Sequence, residues 1–144
     1  MKTYHQLISI ETNKSFELFD ITPQLRSTIK ASNIENGIVV VSAQHTTTAL
    51  TVNEYETRLL DDIENLFTTI APSGARYLHN DIHLRDCPPD EPENAHAHLI
   101  AMMLGNSESI AVVDGAPQLG IYQSLMLIEL DGPRKRNVSI QVMG

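Results

Sequence analysis

The sequence predicts an α+β fold with mostly antiparallel sheet, and three observations lead there. Strand-like apolar runs outnumber helical patterns, hairpin-type connections stand near both ends of the chain, and the helical patterns lack the regular alternation of βαβ units. In order, the elements read β-β-α-β-(β)-α-loop-α-β-β-β.

The segments Tyr4–Ile10 and Ser15–Ile21 read as two strands joined by the turn-rich Thr12-Asn13-Lys14, a hairpin signal. Thr22-Pro23 then starts a helix, with Thr as N-cap and Pro at the first helical position, where its missing N–H costs nothing. Leu25, Ile29 and Ile34 line one face of it, and Asn36-Gly37 is the expected left-handed end. The apolar run Ile38–Val41 follows as a strand that runs into Ser42-Ala43-Gln44-His45-Thr46-Thr47-Thr48. Leu59, Leu60, Ile63, Leu66, Phe67 and Ile70 recur at the spacing of an amphipathic helix. Asn53 with Glu56 three residues later resembles a capping box at its start, and Pro72-Ser73-Gly74 terminates it.

From Ala75 to Glu93 the pattern is irregular and rich in Asp and Pro, which predicts a long loop with room for one short helical turn. Asn94 caps a short helix through Ala95, Leu99, Met102 and Met103 to Leu104, closed by Gly105. Ser109–Val113, Gln118–Leu130 and Asn137–Met143 are strand in character. Arg134-Lys135-Arg136, after Asp131-Gly132-Pro133, reads as the solvated tip of a hairpin.

A chain of 144 residues fits a single domain, 1–144, able to bury a core without disulfides. With 42% hydrophobic and 19% charged residues, and no long like-charge block, it is neither disordered nor fibrous. No apolar segment follows the N-terminus, and the run Leu99–Leu104 is far too short to span a bilayer, so a soluble cytoplasmic protein is expected. Cys87 is the only cysteine, which excludes an intrachain disulfide and a finger-type zinc site. The net charge of -8 argues against nucleic-acid or anionic-membrane partners, and a phosphorylated substrate needs a local basic or metal site.

His45 leads the candidate functional residues, because a His at a strand end beside three hydroxyls can offer a neutral nitrogen to a metal or a proton. His96 and His98 lie about 200° apart on a helix, so only one can belong to a given site. His98 shares its face with Asn94, Ala95, Ala101 and Met102 and is the choice, with His96 in reserve. His79 and His83 have i, i+4 spacing, but the surrounding Asp and Pro residues argue against a zinc-binding helix. Glu54 is close enough in sequence to fold back beside His45 as a ligand or general base. Phosphate-loop, serine-hydrolase and dinucleotide signatures are absent.

Gln44-His45-Thr46-Thr47-Thr48-Ala49-Leu50-Thr51-Val52-Asn53-Glu54 resembles the hallmark segment of the YjbQ-like, or secondary thiamine-phosphate synthase, family. Tyr77–Asn80, Asn94–Leu99, Met103–Gly105 and Ser107–Gly115 follow in the family's order, so the resemblance covers nearly the whole chain. Gly120-Ile121-Tyr122-Gln123 departs from the family's usual Gly-Thr-Trp-Gln, keeping an aromatic ring but losing a hydroxyl. The resemblance implies a β-sandwich within the α+β fold, a homotrimer, and a metal site for a divalent ion such as zinc, held by His45, His79 and His98, with Glu54 and Gln123 as neighbouring catalytic groups. The implied reaction joins a pyrimidine diphosphate to a thiazole phosphate with release of pyrophosphate. The alternatives are a trimeric protein that binds a metal or small anion without turnover, and a metal-dependent hydrolase.

Overall fold

A computed structural model describes all residues, 1–144. Eight strands form two antiparallel sheets, and three α-helices complete the fold. The larger sheet has the order β1 (Thr3–Glu11), β8 (Lys135–Met143), β3 (Gly37–Ala43), β5 (Ser107–Val113) and β6 (Ala116–Pro117). The smaller has the order β2 (Glu17–Asp20), β7 (Ser124–Glu129) and β4 (Thr48–Asn53). The helices are α1 (Thr22–Ser32), α2 (Thr57–Ile70) and α3 (Ala95–Leu104), and none is long and apolar enough to cross a membrane.

Two cores explain why β7 reads as a continuous apolar run rather than an alternating one. Leu125 and Leu127 face the larger sheet, where they join Leu50, Val39, Val41, Val138, Ile140 and Val142, with Leu25 and Ile29 of α1. Met126 and Ile128 face the other way, onto Ala49 of β4 and Ala97, Ile100 and Ala101 of α3. The central strand of the smaller sheet is therefore covered on both sides, the condition under which alternation disappears. The small residues of α3 let its backbone lie close to that sheet, and this contact places His98.

The expected hairpin between the first two strands does not form. β1 pairs with β8 in one sheet, while β2 pairs with β7 in the other. Residues 12–16 cross between layers, anchored by the buried Thr12, whose hydroxyl donates to Glu129 and accepts the Arg134 N–H. Turn-forming residues mark a reversal or a crossing equally well, and strand partners are chosen by long-range packing.

Helix ends differ in detail. Ile21, not Thr22, caps α1, and the Thr22 hydroxyl instead accepts the Leu125 N–H at 2.9 Å. The left-handed residue after α1 is Asn33, at φ 51°, and not the Asn36-Gly37 pair. Gly37 starts β3 where a Cβ would lie 2.0 Å from the Met143 carbonyl, so its glycine serves close backbone approach. Glu56 caps α2 by accepting N–H groups of Arg58 and Leu59, while Asn53 turns its carboxamide to the Glu54 N–H. The Ala75–Glu93 loop contains two single turns of 3₁₀ helix, Leu78–Asn80 and Ile82–Leu84.

Candidate functional site

The site forms where β3 leaves the larger sheet and β4 enters the smaller one. His45, Thr46 and Thr47 occupy that connection, opposite the first turns of α3 and the turn after β7. Asn80 brings in the third histidine: its Oδ1 accepts the Ala95 N–H at 3.1 Å, satisfying one of the open donors at the start of α3. The loop is thereby docked on α3, and His79 lies edge-on to His98 with ring centroids 4.8 Å apart. Arg85 ties the same loop by donating to the His79 carbonyl at 2.9 Å.

Two adjoining clefts share His45, Thr46 and His98. The first, about 370 Å³, is lined entirely by polar residues and proline, including Asn94, Asp131, Arg134 and Arg136. The second, about 460 Å³, is less polar, with Thr48, Ala101, Met102 and Asn106 in its wall. Two buried polar atoms beside these clefts have no protein partner, Asn94 Oδ1 and Thr48 Oγ1. Unpaired buried polar atoms are uncommon in a folded chain, and each is expected to take a partner from outside the protein, water or ligand.

Below the polar cleft lies a buried ion pair. Arg136 is 3% exposed and Glu129 not at all; Nε and Nη2 of the guanidinium both donate to the carboxylate, and Nη2 also donates to Thr47 Oγ1. Burial alone would raise the Glu129 carboxyl, but hydrogen bonds from Arg136, the Asp131 N–H and Thr12, with the charge of Arg136, hold it below the usual range. Nε and Nη2 being committed, Nη1 is the part of the guanidinium left for the cleft that Arg136 lines. Arg134 is held differently, pairing with Asp131 Oδ2 at 2.8 Å, the oxygen that also accepts from Asn94 Nδ2.

His45 has a fixed tautomer. Its Nε2 accepts the Asn137 N–H at 2.8 Å, so this nitrogen carries the lone pair and the proton of the neutral ring sits on Nδ1. Burial and then the charge of Arg136 push its pKa down, against the opposing pull of Glu129, which favours the neutral ring. His98 is also lowered, first by burial and then by His79, while Asp131 and hydrogen bonding to the Thr46 backbone act in the opposite direction.

The three histidines that the resemblance names lie in one region, but they do not form a cluster arranged to hold a metal ion. A three-imidazole ion needs a free lone pair on each ring, and that of His45 is already occupied by Asn137. As arranged, these residues do not fit the zinc site that the resemblance implies. His83 lies off this region, in a different cleft with Cys87 and Arg85, and His96 faces the other side of α3. Glu54 and Gln123 are near each other, since Asn53 pairs with Ser124, but they stand at the far end of the β4–β7 pair. β4 is six residues long, which at about 3.3 Å per residue is about 20 Å, so the fold-back of Glu54 beside His45 does not occur in the single chain. Gln123 uses its Oε1 on the Gly120 N–H at 2.7 Å.

Arg134, Arg136, Asn94 and Asp131 are the site residues that sequence reading missed. The basic triplet is not a hairpin tip, because β7 and β8 belong to different sheets, and Arg136 is buried rather than solvated. The alternation Arg136-Val138-Ile140-Val142 on one strand face was the available signal that this arginine points inward.

Comparison with known proteins matches this arrangement to one family. The profile of the UPF0047 protein YjbQ-like family covers residues 6–144. The chain belongs to that family. A UPF0047 protein of Methanothermobacter thermautotrophicus is 39% identical over 144 residues, spanning all of this chain and 94% of its own. The UPF0047 protein YugU of Bacillus subtilis is 29% identical, covering 95% of this chain and 97% of its own. Among solved structures, a YjbQ-like protein of unknown function from Sulfolobus solfataricus P2 superposes with a TM-score of 0.89 at 35% identity, covering 99% of this chain and 98% of that one. The α+β fold with two antiparallel sheets and three helices is thus the YjbQ-like fold.

Proposed function

We propose that this YjbQ-like protein is a small-molecule enzyme acting on a phosphorylated substrate. The observation that carries this reading is the shared wall of the two clefts, where His45 and His98 stand between a polar chamber and a less polar one. In a chain of net charge -8, the polar chamber, which Glu91 and Asp131 also line, supplies two guanidinium groups, Arg134 and Arg136, each ion-paired to a carboxylate, and the neutral Nδ1–H donor of His45. Such donors, held in place before substrate arrives, stabilise charge that builds on a leaving phosphate or diphosphate. His98, kept neutral by burial, is the group placed to take or return a proton. Asn94 and Thr48 line the two clefts and are placed to orient the remainder of the ligand.

The finer reading is thiamine-phosphate synthesis: the diphosphate of the pyrimidine occupies the arginine chamber, the thiazole the less polar one, and pyrophosphate leaves as the two rings join. The test is to incubate the protein with both substrates and measure pyrophosphate and coupled product together. Product that falls at least tenfold in His98→Asn supports the reading; equal yields in both proteins, or hydrolysis of the diphosphate without coupling, contradict it.

A second reading, in which the histidines hold a divalent ion such as Zn²⁺, is favoured by the His79–His98 contact, which supplies two adjacent imidazoles. It requires the His45 ring to release Asn137. Metal content of purified wild type against His98→Ala and His45→Ala decides it: loss of metal in both supports the ion, and equal content in all three rules this site out. The expected homotrimer belongs to the same proposal. Met102, at the edge of the second cleft, and Leu78 and Leu84 stand exposed as apolar surface that further copies of the chain can cover, and sedimentation at equilibrium reads the number of copies.

A further inference from the structure

His96 points away from His98 into a separate cavity of about 370 Å³ on the opposite face of α3. Phe16, Ile100 and Leu130, all buried, supply its apolar side, and the C-terminal half of α2 with the turn at Pro72–Gly74 covers it. Its ionisable groups are the His96 ring, Glu64 and Asp131, beside the hydroxyls of Ser15, Thr68 and Ser73, and neither Lys nor Arg lines it. The Nδ1 of His96 is buried and has no partner in the protein. Asp131 is common to this cavity and the His45 cleft; its Oδ2 is taken by Asn94 and Arg134, which leaves Oδ1.

These features select a ligand by exclusion and by fit. Glu64 has no ion-pair partner, and the charge of Asp131 is offset only by Arg134, which does not line this cavity, so the lining disfavours an anion and the phosphorylated ligand of the first site is not expected here. An apolar side that includes the Phe16 ring suits an aromatic ligand, and a buried nitrogen without a partner makes a hydrogen-bonding ligand preferable to a plain hydrocarbon. We propose that this cavity is a second binding site, for a small flat ring that carries N–H donors and a positive or zero charge, the aryl amine and amidine class. The ring lies against Phe16 and Ile100, and the N–H groups meet Glu64, Asp131 and His96. This inference is independent of the His98 site: either can fail without the other.

The test titrates benzamidine into the full-length protein while the ring signals of all six histidines are followed by NMR. The expected result is a saturable shift at His96 larger than at His98, together with an affinity about fivefold weaker in Glu64→Gln, as befits one partly exposed charge contact. Glu64 is exposed on α2, so that variant keeps the fold. Benzoate, of the same shape and opposite charge, leaves His96 unshifted. The proposal is overturned by the absence of a saturable shift at His96, by equal affinity in Glu64→Gln, or by benzoate binding as well as benzamidine.

Discussion

Replacing Arg136 separates what the buried ion pair does for stability from what it does for binding. In Arg136→Met the Glu129 carboxylate stays fully buried and loses both guanidinium hydrogen bonds, keeping only Thr12 Oγ1 and the Asp131 N–H. Removing one partner of a buried pair costs about 3–5 kcal/mol, which for a domain of this size lowers Tm by roughly 10–20 °C. In the double variant Arg136→Met/Glu129→Leu no buried charge is stranded, and stability returns to within about 2 kcal/mol of wild type. Pyrophosphate binding does not return with it, because Nη1 and the positive charge beneath the polar cleft are gone in both variants. Thermal unfolding gives the stability, and calorimetric titration of pyrophosphate into the folded proteins gives the affinity, expected to fall at least tenfold. A stable double variant that still binds pyrophosphate like the wild type would refute the role assigned to Arg136.

Asn80→Ala removes the carbonyl that accepts the Ala95 N–H and costs about 1 kcal/mol, as other helix-start caps do. It also frees His79 from His98, so the mutual NMR contact between their rings is expected to vanish while Tm drops by only a few degrees. For pH, His45 and His98 both have folded-state pKa values below the ordinary one, so the unfolded chain binds their protons first as pH falls. Stability from these two groups is complete above about pH 6.5 and is lost as pH drops from there toward the lowered folded values. Urea unfolding in a pH series should show this loss, and it should be reduced in His45→Asn; an unchanged slope in the variant contradicts the assignment to His45.

Local pattern was enough for the elements, because Leu25 and Ile29 on α1 and the alternating residues of β8 carry their burial in their spacing. It also singled out His45 and His98, whereas His79 joined them only through the family resemblance. Pairing was less legible: the stretch 12–16 has the chemistry of a hairpin turn, yet the strands beside it enter different sheets. Nearness in sequence misled for Glu54, since an extended six-residue strand carries it away from His45. Charge misled for Arg136, whose burial depends on a glutamate seven residues upstream on a strand of the other sheet. Among the helices, α2 has the clearest amphipathic spacing but no fully buried residue, with Leu66 and Ile70 about half exposed. Spacing reports that a face is apolar and does not report what covers it.

The nitrogen-bound protons of His45 give the most direct measurement. Long-range ¹H–¹⁵N NMR on the metal-free protein should show a neutral ring protonated on Nδ1, whose signal moves on addition of pyrophosphate and stays put in Arg136→Met/Glu129→Leu. An Nε2-protonated ring, or an Nδ1–H indifferent to pyrophosphate, would contradict an anion-binding site built on this histidine.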